Sequence, residues 1–540
     1  MSMSKGPLAR REGFAAEPLS RRRFVQLATL GAGGLAVGAL GACTTAGPAA
    51  PGPRSAPVTE PVRGGRLRVL VPSDLSPRIL VDALSPVNVW VLGSVYETLT
   101  RYRVERLEPQ PVLAESWEFS SDLRRLTFRL RSGVQFHSGR PFTSADVKWN
   151  LERVANPASA SQLLNFAKWV QRIETPDPAT LIVYLDEPRP SILDMFENLF
   201  IADRGTYEDL RAGKAFVGTG PFTFKEWTPG DHYTLARNAE YWRRDRPYLD
   251  DVTVKVVPDK QTQLISLQTG SADIATNVEQ RDLKALSGDQ KYTVTVPPVW
   301  GTMWGMGLDV KAFPFGDKRA RQAVALLVDR KRIIDTLLPL EEPIQLPWPK
   351  SSPAYIADLA TRYSYDLAKA KELWAQATGG RPVELPITLS LAYPETHGIA
   401  QLLQAELEKL GVKASIDKLE AAQYSAKLSG AKFNGIWMGI FAWMNKTQIT
   451  LFVQSFAYRV PNAQNFDTAD YRQVLDATLR TTDATELAKV YRRLDEILLD
   501  ESFVIPIASA NRPFGATAAV KGVTLTRDSV PVVGEFWKNA

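Results

Sequence analysis

The sequence predicts an α/β protein built from more than one domain, on three observations. Its 540 residues exceed the ~250–300 at which a single hydrophobic core stops growing. Residues 217–273 read as strand, turn, strand, strand and helix. Phe222, Phe224 and Trp227 are interleaved with Thr223 and Lys225, Thr228-Pro229-Gly230-Asp231 supplies turn residues, Val252, Val254 and Val256 alternate with Thr253 and Lys255, and helical spacing follows as far as Gly270. Residues 387–416 then run strand, helix, strand, with Gly411 stopping the helix, which is the rhythm of a parallel βαβ unit.

Composition and charge narrow the function. An apolar content of 44% and 23% charged residues is ordinary for a globular protein. The net charge is +6, but residues 1–43 hold six Lys/Arg against two Glu, so the rest carries only +2. No Lys/Arg cluster interleaved with aromatics follows, so no nucleic-acid partner is expected. The single cysteine, Cys43, can form neither an internal disulfide nor a cysteine-based metal site.

The N-terminus reads as export and tether. Arg21 and Arg22 precede an apolar run over residues 27–40, a layout that resembles a twin-arginine signal peptide. The run is shorter than the ~20 residues a spanning helix needs. Leu40-Gly41-Ala42-Cys43 resembles a bacterial lipobox, which implies lipidation of Cys43 and membrane attachment through an N-terminal lipid. The alternative is a plain signal peptide cut near Ala42. Residues 44–63 contain five prolines without apolar periodicity and are expected to be an extended tether.

The folded body follows in order. Leu67, Val69 and Val71 predict a first strand, ended by Pro72-Ser73-Asp74. Residues 87–100 have helical spacing at Val91, Val95 and Leu99. Short antiparallel strands are predicted over 117–120, 126–130 and 134–136, and Thr143 with Asp146 three residues on predicts a capped helix. Over 173–185 a Pro-Asp turn and an alternating strand lead to a helix at 191–199. Val296-Pro297-Pro298 is a hinge candidate. The run 300–308 puts Trp300, Thr302, Trp304, Met306 and Leu308 on one side and Gly301, Met303, Gly305 and Gly307 on the other. Glycines along one strand face predict a close approach, by a ligand or by a packing partner. One long helical region is predicted over 317–338 and further helices over 471–499, and Val504-Ile505-Pro506-Ile507 is expected to return the chain to the first domain.

Several phrases then act together: Gly218-Thr219-Gly220-Pro221, Lys225-Glu226-Trp227, Arg237-Asn238, Tyr241-Trp242, Pro247-Tyr248-Leu249-Asp250 and the turn at 270–273. As a set they resemble the extracellular solute-binding proteins of the peptide/nickel type, family 5, which deliver ligands to ABC importers. Residues 113–153, the RARQAV and DRKRII phrases and Tyr365-Asp366 extend the resemblance. It implies a two-lobed α/β periplasmic-binding-protein fold (type II, Venus-flytrap) with an extra subdomain inserted in the larger lobe. The larger lobe is expected to comprise residues 64–103, 216–296 and 506–540, the inserted subdomain 104–215 and the second lobe 297–505.

The resemblance also implies the partners and the site. The chain is expected to act as a monomer that closes on a peptide or other small solute and presents it to a membrane permease and its ATPase. Ser73 and Asp74 lie in a loop expected to border the cleft, with a loop-cap role the alternative for Asp74. Trp300 and Trp304 come from the glycine-faced strand. Phe441, Trp443 and Asn445 come from FNGIWMGIFAWMN, and Arg459 and Asn465 from the segment after it. Peptide-binding members place an Asp in this region to pair with the ligand's amino terminus. Here Met444 or Asn445 occupies the place, so a non-peptide solute stays open and Asn445 is expected to bond a neutral group.

Catalytic signatures are absent from the sequence. It has no GxSxG, HExxH, phosphate-loop or CxxC motif, and its histidines, His137, His232 and His397, are widely spaced. Neither catalytic residues, a cofactor nor a metal is expected. The alternatives are a lipoprotein enzyme or a sensory binding module on the same scaffold.

Overall fold

The computed structural model describes residues 60–102, 108–297, 302–350, 352–441, 455–481 and 483–539. Arg21, Arg22 and Cys43, most of the segment expected to be a tether, and Trp300, Trp443 and Asn445 lie outside these residues.

Alternating apolar residues build the first sheet. Arg66–Val71 buries Leu67, Val69 and Val71 and pairs in parallel with Asp251–Val256 on one side and Ile274–Ala275 on the other. The seven-stranded order is Tyr292–Thr295, Phe514–Thr517, Ile274–Ala275, Arg66–Val71, Asp251–Val256, His232–Arg237, Phe222–Thr228. The last two strands form the predicted hairpin, turning at Gly230 with φ +79°, a left-handed conformation that glycine adopts without steric cost. Helix Lys260–Gln268 starts where Asp259 accepts the Thr262 N–H at 2.7 Å.

A four-stranded antiparallel sheet lies between the contributing stretches of chain, ordered Ala114–Phe119, Arg125–Leu130, Thr180–Leu185, Val170–Asp177. It has its own core around Phe128, Leu151 and Phe196. Helix Ser144–Ala155 begins as predicted, the Thr143 N–H donating to Asp146 Oδ2 at 2.9 Å. Residues 134–136 do not form a strand. Gly133 and Gly139, at φ +74° and +82°, turn the chain on both sides and leave only a bridge between Gln135 and Pro141. The helix predicted over 87–100 is confined to Val89–Val95, because Thr100–Tyr102 pairs with Pro109–Pro111.

The second large sheet has five strands, ordered Val412–Leu419, Val383–Ser390, Ile436–Phe441, Met303–Leu308, Val504–Ser509. The βαβ unit read from the sequence is Val383–Ser390, helix Glu395–Glu408 and Val412–Leu419. Two expectations are corrected. The helical region at 317–338 is two helices, Lys318–Leu327 and Arg330–Thr336, because Val328 is extended and the Asp329 carboxylate accepts the Arg332 N–H. Val504–Ser509 does not return the chain to the first sheet. It pairs antiparallel with Met303–Leu308, and the crossing comes after it, over residues 510–513.

Candidate functional site

Strand direction locates the cleft. Arg66–Val71, Asp251–Val256, Ile274–Ala275 and Tyr292–Thr295 all point one way, as do Val412–Leu419, Val383–Ser390, Ile436–Phe441 and Val504–Ser509 in the other sheet. The two crossings between the sheets, 296–302 and 510–513, leave or enter at these carboxyl ends. In open α/β sheets ligands bind in the crevice outside the carboxyl ends of the strands. A crevice spanned by two short crossings is also the geometry of hinge closure.

The structure brings some of the expected residues to this end. Trp304 and Phe441 are both there, on adjacent strands. Trp304 is 5% exposed, its ring meets Tyr393 edge-on at 6.5 Å, and its Nε1–H has no hydrogen-bond acceptor among the described residues. Phe441 is buried edge-on to Trp437 at 4.7 Å. These rings explain the glycine face: a Cβ on Gly305 would come within 2.6 Å of Phe441, and one on Gly307 within 2.4 Å of the Trp437 indole nitrogen. The close approach is therefore made by aromatic side chains of the neighbouring strand.

The remaining expected residues have other surroundings. Ser73 is exposed beyond the end of Arg66–Val71. The Asp74 carboxylate is occupied, accepting from Gly230 N at 2.7 Å, Leu75 N at 2.8 Å and Trp227 Nε1 at 3.0 Å, so it ties the loop to the hairpin as a cap does. Asn465 is at the opposite end of the second sheet, where Nδ2 donates to Asp309 Oδ1 at 3.0 Å, just past Leu308. The six-residue strand separates it from Met303 by ~17 Å, so it does not share a site with Trp304. Arg459 is half-buried over the Phe456 ring at 4.0 Å. Burial lowers its pKa, and Nε has no hydrogen-bond partner among the described residues.

His137 has structural surroundings too. His137 Nδ1 accepts from Gly218 N while Nε2 lies 2.9 Å from Gly220 O, which assigns the proton to Nε2. The ring thus braces a turn packed so tightly that a Cβ on Gly218 would lie 2.0 Å from Val95 O. Among the described residues no group of three His, Cys, Asp or Glu side chains could hold a metal.

Three residues at the crossings escaped the sequence reading. Glu341 joins the two sheets' surroundings: it accepts from Ser509 Oγ at 2.6 Å, Asn511 N at 3.0 Å and Gln280 Nε2 at 3.1 Å. Gln280 begins helix Gln280–Leu286, packed beneath the first sheet. Burial pushes the Glu341 carboxyl up to about 7. Glu341→Ala strands the Asn511 and Gln280 donors, and a loss of ~1–3 kcal/mol is expected in urea unfolding. Tyr393 follows Val383–Ser390 and flanks both Trp304 and Tyr424. Arg512, on the second crossing, is exposed and sits at φ +50°.

The comparisons with known proteins agree with this architecture. The periplasmic-binding fold is shared with a periplasmic binding protein DppA from Helicobacter pylori in complex with the peptide STSA, with a TM-score of 0.77, 22% identity and coverage of 89% of this chain and 99% of that one. AgaA from A. tumefaciens R10, in complex with agropinic acid, gives a TM-score of 0.75 at 26% identity, covering 88% and 99%. Residues 108–458 match the model of the bacterial extracellular solute-binding proteins, family 5. The chain belongs to that family, and it is the solute-binding component of an ABC importer rather than an enzyme. A curated relative, the glutathione-binding protein GsiB of Salmonella typhimurium, is 29% identical over 441 residues, 79% of this chain and 85% of its own length.

Proposed function

We propose that the cargo is a short peptide or a peptide-like solute of about the size of glutathione, held between the two large sheets and released to the permease. The observation that carries this reading is the likeness to a glutathione-binding protein, which spans 79% of this chain. Trp304 and Tyr393 supply a ring wall at the carboxyl ends. Ser73, exposed beyond the end of Arg66–Val71, is proposed to border the crevice from the first sheet; Trp300, Trp443 and Asn445 are proposed as ligand contacts from the sequence alone.

Closure needs a ligand that binds the closed form better than the open one. A ligand at 100 times its Kd then stabilises the folded protein by ~2.7 kcal/mol. In a melting-temperature screen, glutathione or a tri- or tetrapeptide is expected to raise the Tm. A panel of glutathione, short peptides and opine-like acids in which nothing shifts the Tm contradicts the reading. We further propose twin-arginine export through Arg21 and Arg22, and anchoring by a lipidated Cys43 on the outer side of the cytoplasmic membrane. A single acyl chain holds only marginally, so multiple acylation of Cys43 is part of this proposal. Cys43→Ser is expected to move the protein from the membrane to the soluble fraction.

A further inference from the structure

The crossing at 510–513 carries a cation that the fold does not use. Among the described residues Arg512 makes no hydrogen bond and no ion pair. The arginines that structure the protein are, by contrast, consumed. Arg330 donates to the carbonyls of Ile344, Tyr363 and Pro506, Arg321 to Phe315 O and to Glu501, and Arg246 to Glu535 at 2.7 Å. Arg512 is exposed while burial still lowers its pKa, with Tyr393 and Glu395 near enough to oppose that shift.

Its position is also fixed. The preceding N–H, that of Asn511, is held by both oxygens of Glu341 at 3.0 Å, and Ala510 N donates to Thr302 O at 3.2 Å on the other crossing. Arg512 itself has left-handed φ, +50°, which costs a non-glycine residue free energy and persists only where the surroundings impose it. Pro513 follows and restricts the backbone before it. Next to it, Tyr393 touches Trp304, whose buried Nε1–H is a second unused donor. Two unused donors and two rings thus gather where the crossings meet the carboxyl ends of the second sheet.

We propose that Arg512 is the anchor for a carboxylate group of the ligand, with the Tyr393 and Trp304 rings lining the ligand's path beside it. This assignment rests on the peptide-like reading of the cargo. A guanidinium fork matches a carboxylate in two parallel hydrogen bonds, which a lysine ammonium cannot reproduce. The anchor sits on a crossing rather than on either sheet, so a ligand held there is in reach of both lobes. Glu395 adds a like charge that disfavours a second carboxylate at the same spot.

The test uses full-length protein, wild type and Arg512→Gln, titrated calorimetrically with glutathione and with the tetrapeptide STSA as free acid and as C-terminal amide. Arg512→Gln is expected to weaken binding of the free acid by about 10- to 100-fold, to leave the amide's weaker affinity unchanged, and to leave the ligand-free Tm where it was. Arg512→Lys is expected to recover only part of the loss. Equal affinity of wild type and Arg512→Gln for a bound free acid overturns the anchor and leaves the cargo reading standing. A fall in ligand-free Tm, with acid and amide losing affinity alike, gives Arg512 a structural role and also overturns it. No binding of any of the three probes to the wild type, with no peptide or thiol peptide shifting its Tm, overturns the cargo reading and the anchor together.

Discussion

Asp495→Asn is expected to stabilise the protein at neutral pH by ~3–5 kcal/mol and to flatten its pH profile. Asp495 is fully buried in helix Ala484–Glu501, where Trp348 Nε1 donates to Oδ1 at 2.8 Å and Oδ2 has no hydrogen-bond partner among the described residues. Burial pushes its carboxyl up to about 8 from an ordinary 3.8. The folded state therefore keeps a proton that the unfolded chain releases. Between about pH 4 and pH 8 the folded state binds more protons, so this group's contribution to stability falls as pH rises across that window. At ~1.4 kcal/mol per pH unit, the loss by pH 7 reaches the stated size. Asparagine retains the acceptor for Trp348 and never ionises. Urea unfolding of both proteins at pH 4.5 and pH 7.5 measures the effect as a gap that widens with pH. A constant gap, or none, contradicts the assignment.

Arg153→Met is expected to cost ~3–5 kcal/mol, the penalty for leaving one member of a buried ion pair uncompensated. Arg153 and Asp82 pair with side chains 5% and 3% exposed. Asp82 also accepts the Tyr207 hydroxyl at 3.0 Å, and the guanidinium stands 5.1 Å over that ring. The pair joins helix Ser144–Ala155, which covers the four-stranded sheet, to the segment between the first strand and Val89–Val95. Removing the cation strands Asp82, which Tyr207 alone cannot satisfy. The double variant Arg153→Met/Asp82→Asn is expected to be more stable than Arg153→Met alone, because the buried charge is gone. Both are read from chemical denaturation midpoints, and a single-variant loss under 1 kcal/mol contradicts the account.

Period-two strands and capped helices were legible in the sequence because the residues that determine them are neighbours. Leu67, Val69 and Val71, the hairpin closing at Gly230, and the Thr143–Asp146 cap are all local features. The glycine face at Gly305 and Gly307 was legible as a close approach but not as to its partner, since Trp437 and Phe441 lie more than a hundred residues on. The crossing was misplaced because Val504-Ile505-Pro506-Ile507 is equally apolar in either sheet, and only its pairing with Met303–Leu308 decides. Asn465 resembles a family turn, and resemblance does not say at which end of a strand that turn sits. Glu341, Tyr393 and Arg512 were missed because their significance lies in contacts among residues far apart in the chain, such as Gln280 with Glu341. The phrase Asn511-Arg512-Pro513, a cation before a proline between two strands, was the one signal available in advance.

The central claim is that the two sheets hold a peptide-like solute and return it unchanged. A native mass spectrum of the purified protein equilibrated with glutathione and a pool of short free-acid peptides tests it most directly. A one-to-one complex, whose bound mass on release equals that of a pool member, is the predicted result. Absence of any complex, or release of a ligand with an altered mass, would contradict it.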